Sequence, residues 1–410
     1  MSLTFVLEGF LYMHVEIRRY HIFEECSMAE KKLRFGVIGV GGMGSNHCRT
    51  IPQIPEIELT AVCDIDSETL GAISSKHSVP GFANHIDLLE SGLVDAVTIA
   101  TPHYFHPPIA MDAFARGIHV ISEKPLAVTV AAADEMIEAA KKSGLKFGVM
   151  YQMRTEPQNR AAKAIVKSGA LGEIYRTNLI MGWYRSQAYY NSGGWRATWD
   201  GEGGGVLINQ APHHLDLLTW LGGLPTRITG DTRTKLHDIE VEDEAFALLD
   251  YANGAHGYLY ASTTEMPNHN MLEICGDRGK LMLDNGKLLY YAVEGSIREF
   301  THANSEMWGS PKTTETPVTI PPDFPIRGHG AITQNFARSI LYGEQLIAPG
   351  EEGLNAVELI NGIILAGKSG EAVSLPVDRE AYNRLIARLR SESRAKSSVS
   401  TQRITDPKYA

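Results

Sequence analysis

The stretch GVIGVGGMG, Gly36 to Gly44, constrains this chain more than any other. The apolar run before it, Leu33–Val40, reads as a strand buried on both faces, and the glycines open a helix near Gly44–Ile51. The spacing Gly39-x-Gly41-x-x-Gly44 allows a tight turn, close approach of a pyrophosphate to the backbone around Gly41, Gly42 and Met43, and close packing of helix on strand. The helix N-terminus adds an anion site. A second strand, Glu58–Asp64, ends in a carboxylate twenty residues after Gly44, where a ribose 2′-hydroxyl would donate to it. Strand, glycine loop, helix, strand and acid in that order predict a dinucleotide site. Asp64 would repel a 2′-phosphate, so NAD is expected rather than NADP.

The pattern continues to alternate. A helix at Ser67–His77 is expected with Ser67 as N-cap, then a strand at Asp95–Thr101 and a helix at Pro107–Arg116. GIHVIS follows as a strand, then a helix at Val130–Lys142 capped by Thr129 and a strand at Lys146–Gln152. Strands and helices of this length indicate βαβ units and a parallel sheet. After about Met153 the strands lengthen and alternate polar with apolar, and Ala252-Asn253-Gly254, Gly276-Asp277-Arg278-Gly279 and Asp284-Asn285-Gly286 mark hairpins. Helices are expected at Pro157–Lys167, about Val206–Trp220, Ala331–Tyr342 and Gly353–Lys368. The fold class is therefore α/β. An N-terminal doubly wound Rossmann domain, residues 33–152, precedes an α+β domain, residues 153–378, built on a large, predominantly antiparallel open sheet. Residues 379–410 read as a C-terminal helix and tail, and 1–32 as an N-terminal extension, disordered or a misplaced start before Met28.

With 410 residues the chain is long enough for two cores. Its net charge is −10 without a Lys/Arg block, so nucleic acid is not an expected partner. Cys26, Cys48, Cys63 and Cys275 are widely spaced and form no metal-ligand cluster with histidine, which points to free thiols, a reducing cytoplasmic compartment and no metal. No apolar run reaches the roughly 20 residues of a membrane span.

Three stretches carry candidate chemistry. In ATPHYFH, Thr101, Pro102 and His106 lie at the carboxyl end of a strand, where ligands of open α/β sheets bind. In ISEKPLAV, Glu123 and Lys124 end another such strand, and Gln152 ends the next. An amine at such a rim is either idle surface or part of the crevice. In GEGGGVLINQAPHHLDLLTWL, Asn209 and His213 are four residues apart and share a helix face, with Asp216 on the same side. That stripe is either a satisfied polar network or a reactive face. The aromatic segment Trp183–Trp199 offers Tyr184, Arg185, Trp195 and Trp199, a composition suited to stacking on sugar rings or to a core loop.

GVIGVGGMG, VCD, ATP, EKP and GGG…N…H, in this order, resemble the Gfo/Idh/MocA oxidoreductases, named for glucose–fructose oxidoreductase and inositol dehydrogenase. The resemblance covers about Leu33 to Val377. It implies that Lys124 reaches the nicotinamide and the reacting hydroxyl, and that His213 is the histidine of a helix pair whose usual aspartate is Asn209 here. It thus implies catalytic Lys124, His213 and Asn209. The cofactor would be held by Gly39, Gly41, Gly42, Met43, Gly44, Asp64, Thr101, Pro102, His106, Glu123, Lys124 and Gln152. Tyr184, Arg185, Trp195, Trp199, Asn209 and His213 would hold the substrate. The expected activity is hydride transfer between a secondary hydroxyl of a sugar, sugar derivative or cyclitol and NAD. Alternatives are a redox-neutral enzyme that retains its NAD, and a sugar-sensing regulator of the same fold. A homodimer or homotetramer through the C-terminal sheet is expected.

The role of Asp64 is directly measurable. NAD should be preferred over NADP by at least ~1.4 kcal/mol, about tenfold. Asp64→Ser should narrow that gap in fluorescence titrations with the two reduced cofactors; equal affinity of the unmodified protein for both would refute the assignment.

Overall fold

Strands that are apolar on both faces need cover on both sides, and the first half of the chain meets that need with a parallel layer. In this computed structural model the described residues are 32–394, 396, 399 and 400. The extension expected before Lys32, Cys26 and the last ten residues of the tail lie outside them. β1 (Leu33–Ile38), β2 (Ile57–Cys63), β3 (Gly81–Phe82), β4 (Ala96–Ile99), β5 (His119–Ser122) and β6 (Phe147–Val149) form one parallel sheet in the order β3-β2-β1-β4-β5-β6. This is the order of a complete dinucleotide-binding fold. The connecting helices are α1 (Gly42–Thr50), α2 (Ser67–His77), α3 (His85–Glu90), α4 (His106–Ala115) and α5 (Val130–Ser143). Thr129 caps α5 as expected, accepting from Ala132 N at 3.2 Å. At α2 the expected cap is displaced by one residue. Asp66, not Ser67, accepts from Thr69 N, at 2.8 Å, because its carboxylate is the stronger acceptor for the exposed first-turn amides.

The second half forms α6 (Pro157–Lys167), β7 (Ile174–Tyr184), α7 (Gln187–Tyr190), α8 (Pro212–Gly222), β8 (Arg227–Arg233), β9 (Glu244–Asp250), β10 (His256–Ser262), β11 (Thr264–Gly276), β12 (Gly279–Asp284), β13 (Lys287–Val293), α9 (Ile297–Ala303), β14 (Thr313–Glu315), α10 (His329–Leu341), α11 (Gly350–Ser369), β15 (Val373–Ser374) and α12 (Arg379–Glu392). Its nine strands run in the order β14-β13-β12-β11-β7-β10-β9-β8-β15. β7 and β10 are parallel and the other pairs antiparallel, so the expected antiparallel character holds. All three expected hairpins form; Asn285 and Gly286 take φ of 46° and 82°, the positive values a two-residue turn demands.

The helix expected over Val206–Trp220 is not continuous. Residues Val206–Gln210 form a single π turn, and α8 begins at Pro212. Proline has no N–H to extend the ladder. The preceding turn instead closes with Ala211 N donating to Val206 O at 2.8 Å, and α8 restarts with His214 N donating to Ala211 O at 2.9 Å.

The two halves are stitched together by α11 and by a buried arginine. Asn361, fully buried in α11, accepts from Val130 N and donates to Val128 O, both at 2.9 Å. Arg154, just after β6, donates from Nε and Nη2 to the two oxygens of Asp216 in α8 at 2.9 and 2.6 Å, and also reaches Glu352 in α11.

The glycines of the first turn do different jobs. Gly39 has φ +85°, and a Cβ there would lie 2.8 Å from Ala100 O, while at Gly44 a Cβ would lie 1.7 Å from Gly39 O. At Gly41 a Cβ would meet no described atom within 4 Å. Gly39→Ala should therefore lower the melting temperature. Gly41→Ala should leave it nearly unchanged, within about 0.5 kcal/mol of stability, yet weaken NADH binding. Unimpaired NADH binding by a folded Gly41→Ala would show that the open space at Gly41 is not the pyrophosphate seat.

Candidate active site

A cavity of about 1150 Å³ opens at the carboxyl ends of β1, β2, β4 and β5. Its floor is made by the glycine loop, Cys63 to Ile65, Ala100 to His103, Glu123, Lys124 and Gln152. The opposite wall comes from Trp183, Arg185, Tyr189, Ser192 to Arg196, Asn209, Gln210, His213 and His329. Its volume exceeds the roughly 300–1,000 Å³ of most small-molecule pockets, which suits a dinucleotide together with a second molecule.

The dinucleotide part can be tested on the residues present. Asp64 stands beneath the loop, with Oδ2 accepting from Val40 N and Oδ1 from Asp66 N, both at 2.9 Å. Gly41 leaves open space above the start of α1. Thr101 Oγ1, Gln152 Oε1 and His213 Nδ1 are buried polar atoms without a hydrogen-bond partner among the described residues, and all three residues line the cavity. Orphaned polar groups of this kind call for a ligand that can pair with them. The residues fit NAD: Gly41, Gly42 and Met43 would hold the phosphates, Asp64 the ribose, and Thr101, Pro102, Glu123, Lys124 and Gln152 would line the far half. Gly44 and His106 stand behind this surface. Gly44 packs α1 on β1. His106 is buried with Nδ1 2.9 Å from Pro125 O and Nε2 2.8 Å from Thr101 O, so it clamps the two strand-end loops together and does not face the cavity.

Lys124 sits where β5 ends, and its ammonium donates to Asn209 O at 2.9 Å. The side chain thus spans the crevice from the first sheet to the π turn of the second half. Burial lowers its pKa, opposed by the charges of Glu123 and Glu202 and reinforced by those of Arg196 and Arg185. His213 is buried against Gln152, the two Nε2 atoms 3.2 Å apart, and against the Tyr151 ring. Burial first, and the Lys124 charge second, hold its imidazole well below its ordinary value, so the ring is neutral at pH 7; with the Gln152 amide as donor, His213 Nε2 accepts and Nδ1 carries the hydrogen. Glu123 lies beneath: His47 Nε2 is 2.8 Å and His329 Nε2 3.8 Å from its Oε1. Burial alone would raise this carboxyl, but the hydrogen bond from His47 and the nearby histidine and lysine charges outweigh burial and bring it down to about 2.

The expected polar stripe on one helix divides. Asn209 and His213 face the cavity, whereas Asp216 turns to Arg154 as a structural ion pair. His214 packs its ring on Trp183 at 5.4 Å, away from the cavity. The aromatic segment divides as well. Arg185 and Trp195 line the cavity, but Tyr184 and Trp199 do not. Strand alternation explains Tyr184: its neighbours Trp183 and Arg185 point inward, so it points outward and is 45% exposed. Trp199 is buried and donates from Nε1 to Glu240 O at 2.9 Å. In their place the cavity gains Trp183, Tyr189 and Arg196. The Arg196 guanidinium lies over the Tyr189 and Trp195 rings at 4.5 and 4.7 Å, and Arg185 over Trp183 and Tyr189, both at 5.3 Å. Gln210 ties this cage together, accepting from Arg185 Nε at 3.0 Å and donating to Tyr189 Oη at 2.6 Å. Trp183 was reachable from Arg185 by alternation; Tyr189, on α7, and His329, on α10, arrive without a strand-alternation signal. Among the described residues no group of three His, Cys, Asp or Glu side chains could hold a metal ion. Nor is any helix long and apolar enough to cross a membrane.

Comparison with known proteins agrees with this anatomy. Residues 33–151 match the family model "Oxidoreductase family, NAD-binding Rossmann fold", and residues 159–282 match "GFO/IDH/MocA C-terminal domain". The y4oX protein of Sinorhizobium fredii is 31% identical over 267 residues, 61% of this chain and 72% of that protein. Inositol 2-dehydrogenase of Rubrobacter xylanophilus is 32% identical over 192 residues, 46% of this chain and 52% of the relative. The WlbA dehydrogenase of Bordetella pertussis, solved in complex with NADH and UDP-GlcNAcA, superposes with a TM-score of 0.73 at 28% identity, over 85% of this chain and 100% of that one. With its NAD-binding Rossmann half and its C-terminal domain both matched, the chain belongs to the GFO/IDH/MocA family of oxidoreductases.

Proposed function

We propose that this chain is an NAD-dependent dehydrogenase acting on a secondary hydroxyl of a sugar, sugar derivative or cyclitol. The observation that carries the reading is the crossing of the crevice by Lys124, whose amine meets the Asn209 carbonyl beside the neutral ring of His213. Bound NAD would supply the hydride acceptor. The chain's own task is then the proton. A hydroxyl being oxidised releases one, and both groups facing the cavity are tuned to take it. Burial lowers the Lys124 amine from its ordinary value and keeps His213 neutral, so the deprotonated amine or the neutral ring is the group that takes up the proton. Asn209 lacks a titrating group and serves as an orienting amide. The cage of Trp183, Tyr189 and Trp195 with two guanidiniums offers flat apolar faces beside hydrogen-bond donors, which is what a hydroxylated ring requires. The relatives support this class: one is named an inositol 2-dehydrogenase, and WlbA was solved with NADH and a nucleotide sugar derivative. Exposed Phe246, Leu248 and Tyr258 on the outer face of the nine-stranded sheet support the proposal of a homo-oligomer.

A panel of sugars, sugar acids and cyclitols with NAD and with NADP, read by absorbance of the reduced cofactor, tests the activity; no reduction by any of them would refute it. On the best substrate, Lys124→Ala and His213→Ala should each lower kcat by roughly 10²–10⁴. If the two handle the same proton, the double variant should fall little further, because residues acting as a unit are non-additive. NADH affinity should persist in all three. Full activity in Lys124→Ala would overturn the assignment.

A further inference from the structure

Glu202 lies outside the cavity wall, and neither the glycine loop nor the lysine–histidine pair explains it. Its side chain is almost fully buried, 1% exposed, between the aromatic segment and the π turn. Oε1 accepts from Asn209 Nδ2 and lies 3.7 Å from Arg196 Nη1, while Oε2 accepts from Ala197 N. Both oxygens therefore receive N–H donors, the arrangement that best suits an ionised carboxylate. The backbone around it is shaped to hold this pose. Ala197, whose amide it receives, has φ +54°, a strained value for a residue with a side chain. The glycines on either side pass too close to their neighbours for any Cβ: one at Gly201 would lie 2.4 Å from Trp195 O, and one at Gly205 1.9 Å from Glu242 O. His103 Nδ1 meets the backbone oxygen of Glu202 at 2.9 Å.

We propose that Glu202 is the positioning carboxylate of this site, fixing Asn209 and balancing the charge of Lys124 from behind the cavity wall. The linkage is short. Asn209 gives its side-chain amide to Glu202 and its backbone carbonyl to Lys124 Nζ, so one residue carries both contacts. The groups facing Glu202 are Lys124, Arg196 and Lys396 as cations, with the Tyr189 and Tyr190 phenols. Those facing Lys124 are Glu123, Arg185, Arg196, His103, His106, His213 and His329. Glu123 is already engaged by His47 at 2.8 Å, which leaves Glu202 to offset the cations of the second half. Burial is the largest influence and raises the Glu202 carboxyl above its ordinary value, while Arg196, the Ala197 amide, Asn209 and Lys124 favour the charged form and hold that rise in check. An opposite charge raises the pKa of an amine, so Glu202 keeps Lys124 protonated to higher pH than burial alone would allow.

This inference rests on the reading of Lys124 as the proton-handling amine, but it can be tested without any substrate. Competitive acetylation with acetic anhydride across a pH series, with the peptide carrying Lys124 quantified by mass spectrometry, yields the titration midpoint of that amine in the full chain. In Glu202→Gln the midpoint should move down by about 1 pH unit, while NADH affinity, read by fluorescence, stays within twofold. In Glu202→Gln/Asn209→Asp a carboxylate returns one residue nearer to Lys124, and the midpoint should recover. Should Glu202→Gln fail to fold, Glu202→Asp takes its place, with a shift in the same direction but smaller. An unmoved midpoint in the folded single variant, or a double variant that remains shifted, would overturn the proposal. Failure of the sugar panel would count against the dehydrogenase reading and leave these midpoints as they are.

Discussion

A buried guanidinium holds the two halves of this molecule in register, and the cavity between them depends on it. Arg154 is 1% exposed and Asp216 fully buried. Two charges withdrawn from water this far stay ionised only when geometry compensates the lost hydration. Here the compensation is a bidentate pair, with Glu352 and the Ile347 carbonyl taking the remaining donor. Removing one partner of such a pair costs about 3–5 kcal/mol, so the geometry is not negotiable. Its consequence reaches the site through chain connectivity. Gln152 lies two residues before Arg154, and His213 three residues, nearly one turn, before Asp216. Once the ion pair is made, Gln152 and His213 are brought together, and the imidazole is presented to the cavity at a fixed height above the end of β6.

The electrostatics of the cavity follow from burying several charges in one place. Lys124, Arg185 and Arg196 converge on it, and two carboxylates, Glu123 and Glu202, answer from below and behind. Each carboxylate is held by donors of its own, so neither lies open to the cavity as a free anion. The outcome is a crevice in which the titratable groups Lys124 and His213 are shifted by burial while its framework charges stay paired. Perturbed groups gather at functional sites for this reason. The π turn at Val206–Gln210 belongs to the same logic. It closes with Ala211 N donating to Val206 O just before Pro212, and its Asn209 carbonyl accepts from Lys124 Nζ across the crevice.

Much of this was legible in the residues. The order of strand, glycine loop, helix, strand and acid specified the parallel sheet, and the hairpin turns and alternating strands specified the second sheet. Lys124 and His213 were readable as cavity residues from their motifs. The misreadings share one cause, which is that local pattern does not say what a side chain meets. Asp216 has the spacing of a site residue but finds Arg154. Tyr184 and Trp199 have the composition of a sugar-binding loop, but alternation turns one outward and Glu240 draws the other into the core. His106 lies in a cofactor-facing motif and spends both ring nitrogens on backbone carbonyls.

What the sequence determined by itself were the features that repeat at short range: the two sheet types from the period of their apolar residues, the tight turn from its glycines, the cofactor class from a carboxylate at a set distance along the chain. These depend on backbone sterics and on neighbours a few residues away. The tertiary structure alone decided which groups meet across the crevice. Lys124 and Asn209 are separated by 85 residues, Gln152 and His213 by 61, and Glu123 and His329 by about half the length of the chain. Such contacts are set by how two layers pack and by which buried charges must find partners, and the free energy of desolvation that enforces them is a property of the folded interior.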